Sequence, residues 1–353
     1  MSDSPHARLA EALDRLPGRF PRTPSGAEIP LLRRLFTDEQ ARLGAVMGRD
    51  HEAAAAIAAR AGLPASSVAA ALDEMAGLGL VLARDTPDGR RYRLLQFVDG
   101  VFELNRDRFD AELAGLFEAY LHDGGARLLM GHPAYARVLP GAAVSSAEWI
   151  LPFDDVRAIL EQAPHIVLVD CTCRFERELA GEPCDYPRHV CLDLLPEPAP
   201  GGEVISVERA LRILEECEAA GLVHTVSNVQ GGWSWLCNCC SCCCEWLRAY
   251  TEFRLESAVV RNYRAVLDAG LCSGCGDCVG RCQVGAIASA DPVVELSRET
   301  CIGCGLCVST CPTGALRLER LAEAEITLPP RDAVEWEAAR LEGTSSSTRA
   351  ATD

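Results

Sequence analysis

The residues with the clearest chemical potential lie in two segments that repeat at an offset of 29 residues, "CSGCGDCVGRCQVGAI" (272–287) and "CIGCGLCVSTCPTGAL" (301–316). Each carries cysteines with the spacing C-x2-C-x2-C-x3-C. Three thiolates held that closely wrap a polynuclear metal centre corner by corner. The glycines between them (Gly274, Gly276, Gly303, Gly305) let the backbone approach and point N–H groups at sulfur. All 19 cysteines fall between Cys171 and Cys311, and the first 170 residues contain none.

Residues 262–322, with these two runs, resemble the bacterial ferredoxins that hold two 4Fe-4S clusters. In that family the fourth cysteine of each run ligates the other cluster. The resemblance implies one cluster on Cys272, Cys275, Cys278 and Cys311, a second on Cys301, Cys304, Cys307 and Cys282, and one-electron transfer at low potential. One position departs from the pattern: Gln283 stands where the second run has Pro312. It is not a ligand position, and only a local effect on packing and potential is expected.

Ten more cysteines are candidate ligands. Cys171, Cys173, Cys184 and Cys191 lie in "CTCRFERELAGEPCDYPRHVC", and Cys237, Cys239, Cys240, Cys242, Cys243 and Cys244 lie in "CNCCSCCC". Adjacent residues point different ways in strand or helix, so the second stretch cannot place four thiolates around one centre by itself. It can give one or two ligands to each of two centres, or ligands from consecutive helical turns, such as Cys239 with Cys242 or Cys240 with Cys243 and Cys244. One or two further iron–sulfur clusters are expected here, with four-thiolate zinc as the alternative. Spare thiols would be redox-active groups. Cys217, on the apolar face of a helix, is expected to be buried packing. Trp233, Trp235 and Trp246 flank the loop as shields or core residues. His165, His189 and His224 are read as structural.

The elements that must position these residues follow from pattern. Residues 1–26 carry Pro and Arg and are expected to be flexible. Residues 27–105 form a unit of helices and a hairpin: a helix marked by Leu31, Leu32, Leu35 and Phe36, a capping box from Thr37 to Gln40, two Ala-rich helices, and strands near 80–82 and 92–95 around the turn "TPDG". This order resembles a winged helix-turn-helix domain. Its third helix offers Ser66, Ser67, Asp73 and Glu74 but no Arg, while the hairpin offers Arg84, Arg90, Arg91 and Arg93. A docking or dimerisation role is therefore favoured over DNA binding. Residues 106–255 read as an α/β, cysteine-rich metal-binding domain with strands at 165–170 and 222–228 and a helix at 206–221. Residues 256–325 are the ferredoxin-type domain, and 326–353 a flexible tail. The expected fold class is α+β and multidomain.

The whole chain resembles a group of 4Fe-4S binding proteins of anaerobic metabolism. These join a winged-helix-like N-terminus, a C-x-C-R and C-x-C-C-x-C-C-C region and a C-terminal dicluster ferredoxin domain. The resemblance rests on "CTCR" (171–174), "GLVH" (221–224), "CNCCSCCC" and the two runs. It implies iron–sulfur binding and names no reaction.

The net charge of −17 resides in the cysteine-bearing part, because residues 1–100 hold 13 Arg against 13 acids. An acidic surface repels nucleic-acid backbone and suits a basic partner face. The first residues lack the apolar segment of a signal peptide, and no run reaches the length of a membrane span, so a cytoplasmic location is expected. There, clustered cysteines are metal ligands or redox groups more often than disulfides. The chain contains no lysine, hence no G-x-x-x-x-G-K loop, and no convincing dinucleotide fingerprint. An electron-transfer protein serving a partner redox enzyme is the first reading. A redox-sensing regulator acting through the winged helix, and a reductase centred on the middle-domain cluster, are the alternatives.

Overall fold

The computed structural model describes residues 4–141, 149–196 and 202–347, with side chains described to residue 342. The chain divides into two compact units. One comprises residues up to Leu128 together with Phe175–Pro183 and the segment from Arg340; the other comprises Leu129–Arg174 and Cys184–Ala339. Every cysteine belongs to the second unit.

The first unit begins where a flexible segment was expected. A helix spans Pro5–Asp14, with Ser4 accepting from the Ala7 N–H and Pro5 in the first turn, where a missing N–H costs nothing. Leu9, Leu13, Leu16 and Phe20 recur at helical spacing and are buried. Burying that stripe opposes the entropy of ordering the segment. Helices Glu28–Leu35 and Asp38–Ala45 follow, the second started by the reciprocal capping box of Thr37 and Gln40. Helices Ala54–Ala61 and Ala65–Gly77 are separated by Gly62, whose φ of 68° closes the first of them. Strands β1 (Glu52–Ala53), β2 (Val81–Thr86) and β3 (Gly89–Leu94) pair antiparallel in the order β1-β3-β2. The β2–β3 loop is Pro87–Asp88, since Thr86 faces Gly89. Phe20, Phe97, Phe102, Phe117 and Tyr120 fill the interior with close ring contacts.

The second unit is built on a seven-stranded sheet. Its strands are β4 (Ala136–Val138), β5 (Val167–Asp170), β6 (His189–Asp193), β7 (Glu203–Val204), β8 (Val223–Ser227), β9 (Trp235–Cys239) and β10 (Val259–Val260), in the order β10-β4-β8-β9-β6-β5-β7. Only the β10–β4 pair is parallel. The middle region is thus not the largely parallel sheet that an α/β reading implies; connections as short as the one from β8 to β9 return the chain antiparallel. The helix Val207–Ala220 packs Leu214 and Cys217 inward and ends at Gly221, φ 96°. Trp233, Trp235 and Trp246 are buried core residues, with the rings of Trp235 and Trp246 stacked.

The chain then enters two small antiparallel ladders, β11 (Tyr263–Leu267) with β14 (Leu316–Arg320), and β12 (Ile287–Ala288) with β13 (Glu295–Leu296). Short helices Asp277–Arg281 and Leu306–Ser309 follow Gly276 and Gly305, both in the left-handed conformation. A buried ion pair fastens this part to the sheet. Arg137 Nε lies 2.6 Å from Asp154 Oδ1, both side chains are fully buried, and the Tyr263 hydroxyl donates to Asp154 Oδ2 at 2.9 Å. Arg137 also donates to the carbonyls of Val229 and Phe153. This satisfies most of its fork, the condition under which a buried pair is tolerated.

Beyond Pro330 a helix spans Ala333–Ser347, and Trp336 is buried with its Nε1 donating to Ala134 O. Most of the expected flexible tail is therefore helical; residues 348–353 lie outside the described residues. Among the described residues no single helix is long and apolar enough to cross a membrane.

Candidate metal centres

The eight cysteines of the two repeats line two separate concavities. One is walled by Cys272, Cys275, Cys278 and Cys311 together with Leu267, Val294 and Leu316. The other is walled by Cys282, Cys301, Cys304 and Cys307 together with Ala265, Ile287 and Leu306. Each takes three thiols from one repeat and the fourth from the other. The fold explains the exchange: each short helix delivers its repeat's last cysteine away from its own first three. Backbone N–H groups already face sulfur, Ala286 N on Cys282 Sγ at 3.1 Å and Ala265 N on Cys301 Sγ at 3.4 Å. Such donors stabilise the thiolate form that a metal requires. Gly303 has φ 72°, and a Cβ there would run into the Tyr263 carbonyl, so the backbone approach excludes a larger residue. Burial pushes the Cys304 thiol up to about 12 and that of Cys278 up by less. Where burial holds a thiol neutral, as at Cys304 and Cys278, a cationic cluster would supply the missing compensation.

The ten middle cysteines separate into two groups. Cys184, Cys240, Cys242 and Cys243 have Sγ atoms all within 4.8 Å of one another. The set is partly open, since Cys242 is exposed while Cys240 and Cys243 are buried. Of the pairings expected from consecutive helical turns, Cys240 with Cys243 comes together, but Cys239 and Cys244 belong to the other group, and the stretch is not helical: β9 ends at Cys239, a turn follows, and the next helix starts only at Glu245. Contact with Cys242 and Cys243, with Arg174 nearby, pulls the Cys240 thiol far below its ordinary range, and the same contacts push Cys243 up.

The other six thiols, Cys171, Cys173, Cys191, Cys237, Cys239 and Cys244, are neighbours that perturb one another's ionisation. The Cys244 Sγ donates to Cys239 Sγ at 3.2 Å. Cys171 follows β5, Cys173 lies in the first turn of the helix Thr172–Leu179, Cys191 is in β6, Cys237 and Cys239 are in β9, and Cys244 caps the helix Glu245–Thr251. The neighbouring Cys173 and Cys191 hold Cys171 well below the usual thiol range, and Cys237 and Cys244 do the same for Cys239. All 19 cysteines are free thiols in the structure. Cys217 belongs to neither group; it is buried in its helix, and burial pushes its thiol up to about 12.

Several residues that position these thiols lay inside quoted motifs without a role assigned to them. Arg174 is buried, donating to Asn238 O at 2.7 Å and Pro187 O at 3.0 Å. Burial lowers its pKa, but the neighbouring thiols, Cys171 and Cys240 foremost, raise it further, so its charge is secure beside both groups. Asn238 sits between strands, pairing with His224 Nδ1 at 2.7 Å and donating to Val190 O at 2.6 Å; His224 is structural. The Thr225 hydroxyl lies 3.2 Å from Cys239 Sγ, and the Cys173 thiol donates to the Glu245 carboxylate at 3.0 Å. Gln283 is the fastening between repeats and cysteine loop. Its Oε1 accepts from the Ser241 N–H and hydroxyl at 2.9 and 3.0 Å, and its Nε2 donates to Tyr186 OH and Gly221 O. The departure from the ferredoxin pattern is therefore a hydrogen-bonded link, where a proline could make none of these bonds. The "RCQ" triplet at 281–283 was its only trace.

Residues 294–317 match the 4Fe-4S binding domain family. That segment contains Cys301, Cys304, Cys307 and Cys311, and the chain is accordingly an iron–sulfur protein in at least this part. No curated protein matches the chain, and no solved structure matches it.

Proposed function

We propose that this protein is an electron-transfer protein that holds two 4Fe-4S clusters in its C-terminal repeats and serves a partner redox enzyme. The observation that carries the reading is the pair of concavities, each walled by four cysteines drawn from both repeats. Cys272, Cys275, Cys278 and Cys311 would hold one cluster, and Cys301, Cys304, Cys307 and Cys282 the other. When bound, the clusters supply one-electron exchange at low potential. The chain's own residues exclude water from the second site with Ala265, Ile287 and Leu306, and the N–H donors of Ala265 and Ala286 favour the thiolates. The acidic cysteine-bearing part suits a basic docking face on the partner. Anaerobically purified protein should contain at least about eight irons per chain and give EPR signals of interacting reduced 4Fe-4S clusters. Fewer irons with no reducible signal would sink the reading.

The quartet of Cys184, Cys240, Cys242 and Cys243 suits a single tetrahedral ion. Metal–sulfur bonds of about 2.3 Å place four sulfurs about 3.8 Å apart, within the 4.8 Å observed, whereas a cubane spreads its thiolates wider, one to each corner iron. Zinc or one iron would be held there as a clamp on the loop. Cys184→Ser should remove about one metal ion per chain and leave the cluster EPR unchanged; loss of several irons would overturn this assignment.

The N-terminal unit is read as a winged helix used for docking. Two helices bent by 111° across Gly62–Pro64, followed by a β-hairpin, suit that fold. Arg90, the hairpin's candidate phosphate contact, pairs instead with Asp73 at 3.1 Å and Asp85 at 3.8 Å. These acids favour a protein partner over DNA. A gel-shift assay with DNA fragments should show no band that Arg90→Ala abolishes.

A further inference from the structure

The quartet of Cys184, Cys240, Cys242 and Cys243 has the dimensions of a single ion and the surroundings of a redox one. All four Sγ atoms lie within 4.8 Å of one another. Cys242 and Cys243 stand 3.7 Å apart. The edge of a sulfur tetrahedron with metal–sulfur bonds of about 2.3 Å is about 3.8 Å. The set closes on one metal with little movement and is too tight to give one thiolate to each corner of a cubane.

Neighbouring residues fix both segments of the quartet. The buried Arg174 donates to Pro187 O at 3.0 Å and Asn238 O at 2.7 Å, and its guanidinium lies over the Tyr186 ring, 5.8 Å from the centroid. One bond holds the segment that carries Cys184, and the other holds β9, which leads into Cys240. Gln283 ties the same two segments through Ser241 and Tyr186. It follows Cys282 directly in sequence, and Cys282 walls the second concavity.

Thiolate sets select zinc, iron or cuprous copper. Two features favour iron. Structural zinc sites are closed, whereas Cys242 is exposed while Cys240 and Cys243 are buried, so a bound ion would have one edge toward solvent and another toward the interior. The loop is also fastened beside a concavity whose Cys301, Cys304 and Cys307 lie in the segment matching the 4Fe-4S binding domain. An ion of fixed valence uses neither feature; an ion that changes valence uses both.

We infer that the quartet is a mononuclear iron centre, a one-electron site separate from the two concavities, whose exposed edge at Cys242 exchanges electrons with partner proteins. The inference deepens the single-ion reading of this quartet and rests on it. The step moves no atoms. One electron from the one-electron centre of a donor protein, which is oxidised, converts the ferric ion to ferrous with all four iron–sulfur bonds kept; a one-electron acceptor protein reverses it. Four thiolates leave a ferric ion with a single net negative charge and an oxidised 4Fe-4S core with two. Net charge tunes potential, so the quartet takes up an electron before a ferredoxin-type cluster does, and the fixed positive charge of Arg174 acts in the same direction.

The test uses the full chain purified without oxygen, passed through EDTA and oxidised with one equivalent of ferricyanide. It should show a high-spin ferric EPR signal, which oxidised 4Fe-4S clusters do not give, and Mössbauer spectra of 57Fe-labelled protein should assign it about one iron per chain. Cys184→Ser should lose that signal and keep the reduced-cluster EPR. On titration with dithionite the ferric signal should vanish before any reduced-cluster signal appears, and ferricytochrome c, a basic one-electron acceptor, should restore it. Zinc in place of iron would refute the redox centre and keep the single-ion reading; no ion lost in Cys184→Ser would refute both. A ferric signal that outlasts reduction of the clusters, or a ferrous quartet that ferricytochrome c leaves unchanged, would also overturn the inference. If Cys184→Ser does not accumulate, Cys242→Ser, altered at an exposed position, replaces it, and the wild-type Mössbauer spectrum decides by itself whether the iron is there.

Discussion

The C-terminal repeats and the central thiols use the same residue in opposite ways. In the repeats, cysteines stand around open concavities, separated by apolar walls, and their thiols meet backbone N–H groups rather than each other. In the central domain, thiols crowd together: Cys239 and Cys244 lie 3.2 Å apart, and four others gather within 4.8 Å. The difference teaches that thiol number does not define a site; spacing does. A local run with glycines holds four sulfurs at the corners of a volume, whereas strand register draws sulfurs from distant segments into contact.

The largest expected effect separates the two regions by composition. Cys304→Ser should remove about four irons per chain and one cluster's EPR signal, leaving the metal of the central thiols in place; collapse of the total iron would show that the regions are not independent. Next comes the joint between them. Arg137→Met strands Asp154 without its cation, both groups being fully buried. It should destabilise the fold by about 3–5 kcal/mol in denaturant titrations followed by tryptophan fluorescence. A loss below about 1 kcal/mol would mean that the Tyr263 hydroxyl alone sustains the carboxylate. Gly303→Ala should cost about 1–3 kcal/mol from its backbone conformation alone, with more from the close approach of the Tyr263 carbonyl. Its melting temperature should fall well below that of Gly276→Ala, which meets open space; equal shifts would refute the close approach. The smallest effect is expected at Gln283→Pro, which breaks the bonds to Ser241, Tyr186 and Gly221. About 1–2 kcal/mol should be lost, iron content should be unchanged, and hydrogen exchange at the Ser241 amide should quicken. Unchanged exchange would remove Gln283 from its role as a link.

How much of this was legible varied with the range of the interactions. Each repeat declares its concavity because three of the cysteines that line it lie within seven residues and its glycines mark the turns. The capping box at Thr37 and Gln40 and the stop at Gly62 were equally plain, being set by neighbours in sequence. The helix Pro5–Asp14 was readable too, in the spacing of Leu9, Leu13, Leu16 and Phe20, but its prolines and arginines suggested a loose end. The grouping of the ten central cysteines was not legible. Cys191 faces Val169, and Cys237 faces Thr225, only because β6 pairs with β5 and β9 with β8. A shift of one residue in either register would turn the thiol to the opposite face. The role of Gln283 likewise depended on a loop more than forty residues away.

The exchanged fourth cysteine of each repeat has a consequence for biosynthesis. The last cysteine of the central domain is Cys244, so all of the central thiols have been polymerised before Cys272, the first cysteine of the repeats, is added. The ferredoxin concavities obey another schedule. The one built mainly from the first repeat lacks a wall until Cys311, the last cysteine of the chain, has left the ribosome. Neither repeat is a unit of assembly by itself, and a nascent chain halted between them would offer three thiols with a gap where the fourth belongs.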